Sequence, residues 1–211
     1  MILAAVRASS VGLKIAAGFG GTALAITAVC VPFVAPGLKK HALPFIPATE
    51  LQLENIKTAL EKHGTERDLI DIGSGDGRIT RMAAEMEKFP LCWGIEINRW
   101  LVYYSSVKSL LSGQSSSTRF FKSDLWKHNF DKYGNIVIFG VGPMMADLED
   151  KLFAEIDGDA KIIACRFKFP NKKPIDTIGR GIDTVWVYDL NTVVLYKYNV
   201  QLKIAPGHPY L

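Results

Sequence analysis

Three glycines spaced two apart, Gly73, Gly75 and Gly77, follow directly on the short apolar run Leu69 to Ile72, in the stretch Asp71-Ile72-Gly73-Ser74-Gly75-Asp76-Gly77-Arg78. A strand that runs into alternate glycines must end in a tight turn whose backbone takes positive φ, with no Cβ between the main chain and whatever rests on it. A helix predicted from Arg78 to about Lys88 offers its free N–H groups to the same place. Strand, loop and helix together make a ligand seat in an α/β layer structure. The spacing D-x-G-x-G-x-G is not the dinucleotide fingerprint, which requires G-x-G-x-x-G and a glycine where Arg78 stands. An oxidoreductase is therefore the least favoured reading.

The next strand, Cys92 to Ile97, carries an acid near its end, and the Glu96 carboxylate can accept both hydroxyls of a ribose. Alone, Glu96 reads equally well as an exposed strand-end charge, but the glycine loop upstream tips it toward a ligand. Asn98 suits the N-cap of the following helix. A third strand, Arg119 to Ser123, leads into Asp124-Leu125-Trp126, where an acid can accept from an exocyclic amine while Leu125 or Trp126 packs on its ring. Trp126 reads equally as core or as substrate-facing. These features resemble the seven-strand S-adenosylmethionine-dependent methyltransferases. The resemblance implies a Rossmann-like α/β fold, mostly parallel with an antiparallel last strand, and S-adenosyl-L-methionine as cofactor. On it, Asp71, Gly73, Ser74, Gly75, Asp76, Gly77, Glu96, Asn98, Asp124 and Leu125 are the expected cofactor-binding residues.

Upstream, no residue from Ile15 to Leu38 is charged. As a helix those positions would reach about 36 Å, enough for a bilayer core. Lys14 precedes the run and Lys39-Lys40 close it, so a membrane span or anchor over 15–38 is expected, although Gly18, Gly20, Gly21, Pro32 and Pro36 weaken it as a helix. A cleaved signal peptide would have a shorter apolar region and a small-residue cleavage site. No Asp or Glu precedes Glu50, while Arg7, Lys14, Lys39 and Lys40 are basic; the chain has 25 basic and 21 acidic residues, so residues 50–211 carry 21 of each. The net charge of +4 thus belongs to the N-terminus. A basic, acid-free, Ser-containing leader suits mitochondrial import. The balanced body offers no general excess of positive charge for phosphates, which counts against a nucleic-acid substrate.

Cys30, Cys92 and Cys165 are far apart in apolar settings and read as buried reduced thiols. His41, His63, His128 and His208 show no metal-ligand or triad spacing, so no metal is expected and no general base is named. Pro44-Phe45-Ile46-Pro47-Ala48-Thr49 leads into a predicted helix from Glu50 to about His63, with Thr49 and Gln52 at capping-box spacing and Leu53, Ile56 and Leu60 on one apolar face. Beyond Asp124 the pattern predicts strand Asn135 to Val141, helix Met144 to Ile156, strand Lys161 to Phe167, and a closing hairpin of Asp183 to Asp189 with Thr192 to Leu202. The chain then divides into a targeting region and span (1–43), a linker and leading helix (44–64) and a catalytic domain (65–211).

The fourth strand ends in Phe139-Gly140-Val141-Gly142-Pro143, without the Asn/Asp-Pro-Pro-aromatic clamp that such methyltransferases place on planar amides and base amines. An acceptor already nucleophilic once deprotonated is expected. The run Pro44 to Thr49 with Gln52 and Asn55, Gly94 to Asn98, Trp100-Leu101-Val102, Ser123 to Lys127 and Gly181 to Trp186 resemble the membrane-anchored mitochondrial lysine methyltransferases of the ATP synthase c subunit and the adenine nucleotide translocase. Ile138 to Val141, Met144-Met145 and Ala164 to Phe167 are nearer the c subunit branch. The resemblance implies a lysine N-methyltransferase of the mitochondrial inner membrane with a membrane-embedded protein substrate. It places Thr49, Gln52, Trp126, Phe139, Gly140 and Pro143 along an acceptor channel, while Thr49 and Gln52 read equally well as plain helix caps. A tethered small-metabolite methyltransferase and a non-enzymatic assembly factor of the same fold stay open at this point.

Overall fold

A computed structural model of the chain describes residues 47–190, all within one compact unit, Phe45–Leu211. The expected span over 15–38 and the strand Thr192 to Leu202 lie outside the described residues. Among the described residues no helix is long and apolar enough to cross a membrane.

The elements alternate as α1 (Glu50–His63), β1 (Leu69–Ile72), α2 (Arg78–Glu85), β2 (Cys92–Glu96), α3 (Arg99–Leu111), β3 (Thr118–Lys122), β4 (Asn135–Phe139), α4 (Met145–Glu155), β5 (Lys161–Cys165), β6 (Asp176–Ile178) and β7 (Val185–Asp189). The strands form one sheet of seven in the order β3-β2-β1-β4-β5-β7-β6. From β3 through β5 all pairings are parallel; β7 lies antiparallel between β5 and β6. The mostly parallel sheet with an antiparallel last strand is thus observed. Among the described residues β7 pairs on its outer side with the unforeseen β6, which the chain reaches first. At three residues β6 is too short for a periodic signal. It is fixed by tertiary contacts: Asp176 takes Lys62 Nζ and His63 Nε2, each at 2.7 Å, from the last turn of α1. That pair of donors holds the Asp176 carboxyl well below the usual carboxylate range.

Burial on both sheet faces explains why the central strands read as mostly apolar, Asp71 of β1 apart, rather than alternating. Leu69, Val137, Ile163 and Val187 face Ile56, Ala59 and Leu60 of α1 and Ile79 and Ala83 of α2; Ile70, Ile72, Ile136, Ile138 and Ile162 face Met145, Leu148 and Leu152 of α4 with Phe130 and Tyr133 from the β3–β4 connection. So α1 packs as an integral layer of this unit.

Several elements stop earlier than periodicity suggests, each for a local reason. Strand β5 ends at Cys165 because Arg166 adopts φ +68°, and Phe167 N donates to Cys165 O at 2.8 Å, closing a γ-turn of the strained hand. Helix α2 ends at Glu85, short of Lys88, with Glu87 at φ +51°. A 3-10 turn, Gly142–Met144, intervenes between β4 and α4.

One buried amide knots β4 to the loop between α1 and β1. Asn135, fully buried, donates through Nδ2 to Thr65 O at 3.0 Å and Arg67 O at 2.9 Å, and its Oδ1 accepts from Thr65 N at 2.8 Å. Removing it strands main-chain groups away from water. Asn135→Ala should cost about 2–4 kcal/mol and lower Tm by about 5–15 °C, read by thermal circular dichroism.

Candidate functional site

In the order β3-β2-β1-β4-β5, chain connections run outward from β1 on one side and then return to β4, so the crevice beyond the carboxyl ends of β1 and β4 is the topological switch point. The glycine loop lies there. Gly73, Gly75 and Gly77 take φ of +74°, +55° and +74°, so the positive φ expected from the spacing is present at all three. The loop is clamped to its neighbour strand: Gly73 N and Ser74 N both donate to Ile95 O, at 2.8 and 2.9 Å. Its close approach is enforced from below. A Cβ at Gly77 would come within 2.8 Å of Ser105 Cβ and 2.7 Å of the Phe120 ring, and one at Gly94 within 2.6 Å of the same ring.

Glu96 sits at the end of β2 as expected, and its carboxylate is already partly engaged. One oxygen accepts from Gly75 N at 3.2 Å, the other from Asn98 N at 2.8 Å. Burial raises its pKa, with those N–H groups opposing the shift. A carboxylate has about four acceptor positions, so room remains for hydroxyl donors. Asn98 is buried and caps α3, its Oδ1 accepting from Trp100 N at 3.0 Å.

Asp71 is the unusual group. It is 1% exposed, and only Oδ2 has a partner, Thr80 Oγ1 at 2.9 Å; Oδ1 and the neighbouring Ser74 Oγ are buried with no protein donor or acceptor. Burial, with the nearby Glu96 and Asp76 charges adding to it, pushes the Asp71 carboxyl up to about 7. Asp76 instead forms an ion pair with Arg78 at 2.7 Å, whose Nη1 also donates to Ala48 O at 2.8 Å. Asp76 thus fixes the entry of the chain and the start of α2.

On the far side of the loop, Asp124 opens a turn, Oδ1 accepting from Trp126 N at 3.1 Å. Leu125 packs against the core, and Trp126 is exposed rather than core. Phe139 and Gly140 lie at the end of β4, with Pro143 exposed in the following 3-10 turn. The Arg166 guanidinium lies 5.9 Å from the Phe139 ring centroid. Thr49 caps α1 by accepting from Gln52 N at 3.1 Å, but the capping box is not reciprocal: Gln52 Nε2 turns to Ile182 O at 3.4 Å. Thr49 Oγ1 also donates to Asp183 Oδ1 at 2.6 Å, and Asn55 Nδ2 to Asp183 O at 2.9 Å. These polar groups stitch α1 to the 3-10 turn Gly181–Asp183.

Two contributors escaped sequence reading. Ser105, on the buried face of α3, donates to Gly75 O at 3.0 Å and supports the loop from behind. Phe120 props Gly77 and Gly94. Neither has a local motif; the only hint for Ser105 is the small polar step Ser105, Ser109 at helical spacing.

Residues 71–176 match the ANTKMT methyltransferase domain, and residues 8–39 match the N-terminal domain of the ATP synthase c-subunit lysine N-methyltransferases. The chain is 50% identical over 174 residues to the ATP synthase c-subunit lysine N-methyltransferase of Homo sapiens, covering 82% of this chain and 72% of that protein. With the Mus musculus protein of the same name it shares 48% over 185 residues, 88% of this chain and 73% of that one. The chain belongs to this family of lysine N-methyltransferases. Its fold agrees with that of a solved RNA methyltransferase from Salinibacter ruber in complex with S-adenosyl-L-homocysteine, at TM-score 0.61 and 23% identity, covering 68% of this chain and 92% of that chain.

A methyltransferase of this family and fold uses S-adenosyl-L-methionine, and the switch-point crevice fits that group. Three left-handed glycines make a bare cradle, two buried oxygens have no protein partner, and a half-satisfied carboxylate stands at the end of β2. Gly77→Ala combines a disfavoured φ, worth about 1–2 kcal/mol, with overlap against Ser105 and Phe120. It should weaken S-adenosyl-L-homocysteine binding at least tenfold in calorimetry.

The buried Asp71 carries a pH signature of its own. Because its folded pKa is raised from 3.8 to about 7, its protonated form favours folding below pH 4 and that advantage is lost as pH rises to 7. Asp71→Asn should therefore stabilise the cofactor-free protein at pH 8, by up to about 4 kcal/mol, and have little effect at pH 4. Denaturant melts at the two pH values read this directly.

Proposed function

We propose that this enzyme methylates a lysine of the ATP synthase c subunit at the mitochondrial inner membrane, held there by the apolar segment 15–38. The observation that carries the reading is the joining, in one chain, of the switch-point cradle with close similarity to relatives named for c subunit methylation, extending into residues 8–39. Methylation of the adenine nucleotide translocase is the second reading, favoured by the match of residues 71–176 to the ANTKMT domain.

When bound, S-adenosyl-L-methionine supplies an electrophilic methyl on a sulfonium. In this reading Asp71, with Oδ1 buried and unpartnered, receives the cofactor's ammonium group, Gly73, Ser74, Gly75 and Gly77 line its path with Asp76 and Arg78 bracing the turn, and Glu96 takes ribose hydroxyls with its remaining lone pairs. Asn98 fixes the end of Glu96. Asp124 and Leu125 border the adenine. Thr49, Gln52, Trp126, Phe139, Gly140 and Pro143 frame the approach of the acceptor.

The acceptor amine has to arrive neutral. From an ordinary lysine pKa of 10.4, losing the proton at pH 7 costs about 4.6 kcal/mol. Two features of this rim would lower that cost: the apolar Trp126, Phe139 and Pro143 disfavour the charged ammonium, and the Arg166 guanidinium, 5.9 Å from the Phe139 ring centroid, repels a like charge. In-line alignment of amine and methyl then supplies much of the rate without a dedicated base.

Labelled S-adenosyl-L-methionine, the purified enzyme and mitochondrial membranes from cells lacking it should yield methyl-lysine on the small c subunit proteolipid by mass spectrometry. Label on the nucleotide carrier instead would select the second reading, and label in lipid alone would overturn both. Glu96→Ala should abolish cofactor binding with the circular dichroism spectrum unchanged. Cofactor affinity of the wild type should rise between pH 6 and 8 as Asp71 ionises, and Asp71→Asn should flatten that rise.

A further inference from the structure

Helix α3 is built inside out. Its buried face is Leu101, Ser105 and Ser109, two of the three polar, while Trp100, Tyr103, Leu110 and Leu111 are 47%, 68%, 63% and 78% exposed. The buried serines have clear structural work: Ser105 holds Gly75 O, and Ser109 Oγ meets Thr118 Oγ1 of β3. The large side chains outside serve no core. At about 100° per residue, Trp100, Tyr103, Tyr104, Leu110 and Leu111 fall on one stripe, and Arg99 and Lys108 fall on its opposite flanks. Lys108 Nζ lies 5.6 Å from the Tyr104 ring centroid.

Charge is segregated in the same place. From Ile97 to Ser123 there is no Asp or Glu, while Arg99, Lys108, Arg119 and Lys122 are basic. These residues form α3 and the edge strand β3 beside it. In a body whose charges balance, this segment carries only positive side chains, with Glu85 of α2 reaching it at Gln114.

We propose that α3 seats the catalytic unit on an anionic lipid bilayer, with Trp100, Tyr103, Tyr104, Leu110 and Leu111 entering the headgroup–acyl boundary. Exposed aromatic and leucine side chains flanked by Lys and Arg on one helix are the pattern of an interfacial helix, with basic groups drawn to anionic headgroups. Charge argues against the other occupants. A second copy would bring the same positive edge, and the chain's own N-terminus is also basic and acid-free up to Glu50. The inference rests on the described residues alone and does not depend on the acceptor's identity.

The test uses the full chain carrying Cys30→Ser, with single nitroxide labels at Tyr103→Cys or Leu111→Cys; Cys92 and Cys165 are buried and stay unlabelled. A Lys57→Cys label on α1 is the reference. Vesicles of phosphatidylcholine with phosphatidylglycerol should make positions 103 and 111 lose collisions with a water-soluble nickel chelate and gain collisions with oxygen, with position 57 unchanged. Phosphatidylcholine alone should give a smaller shift. Labels at 103 and 111 still open to nickel on the anionic vesicles would overturn the proposal. So would labels shielded from both reagents before any lipid is added, because protein would then cover the stripe. These readouts involve no methyl transfer, so their failure leaves the proposed reaction standing.

Discussion

The Glu96 carboxylate is the joint on which the site depends. By accepting from Gly75 N and Asn98 N it ties the glycine loop after β1 to the start of α3 after β2. Parallel pairing of Asp71 with Gly94 and Ile72 with Ile95 brings those ends level, and Ile95 O then receives two loop N–H groups. Every other cradle feature is stacked on that register. Gly94 has to be bare because Phe120 and Ser74 press on it, and Ser105 reaches Gly75 only because α3 begins where Asn98 caps it.

Against this rigid frame Asp71 is a deliberate weak point in the apolar layer. A carboxyl with one oxygen unpartnered and its pKa near 7 opposes folding at neutral pH. The same features make it suited to a cationic ligand, since desolvation has already been met by the fold and a partner charge has little competition from water. Stability and ligand affinity pull in opposite directions at this one side chain.

Much of this was readable beforehand where chemistry is local. The glycine spacing gave the left-handed turn, the carboxyl-end acids gave the rim of the crevice, and β4 and β5 announced themselves as apolar runs after one polar residue each. What escaped was what depends on distant partners. Strand β6 exists because Lys62 and His63 meet Asp176 across more than a hundred residues. Gln52 left its expected capping box for Ile182 O, a carbonyl that no local rule could supply. Ser105 and Phe120 act as props whose identity follows from the space beneath glycines, and the outward apolar stripe of α3 is visible only once its serines are seen facing in.

Arg166 carries a consequence for how such a chain would drift under different pressures. It occupies a left-handed backbone state in a γ-turn, which glycine adopts with less strain, and its backbone N–H still reaches Thr184 O at 3.0 Å. A library of variants selected for thermal robustness alone would be drawn toward glycine at this position. Under the proposed role of the guanidinium beside Phe139, one selected for turnover would keep arginine, so the two populations would part company at a single codon.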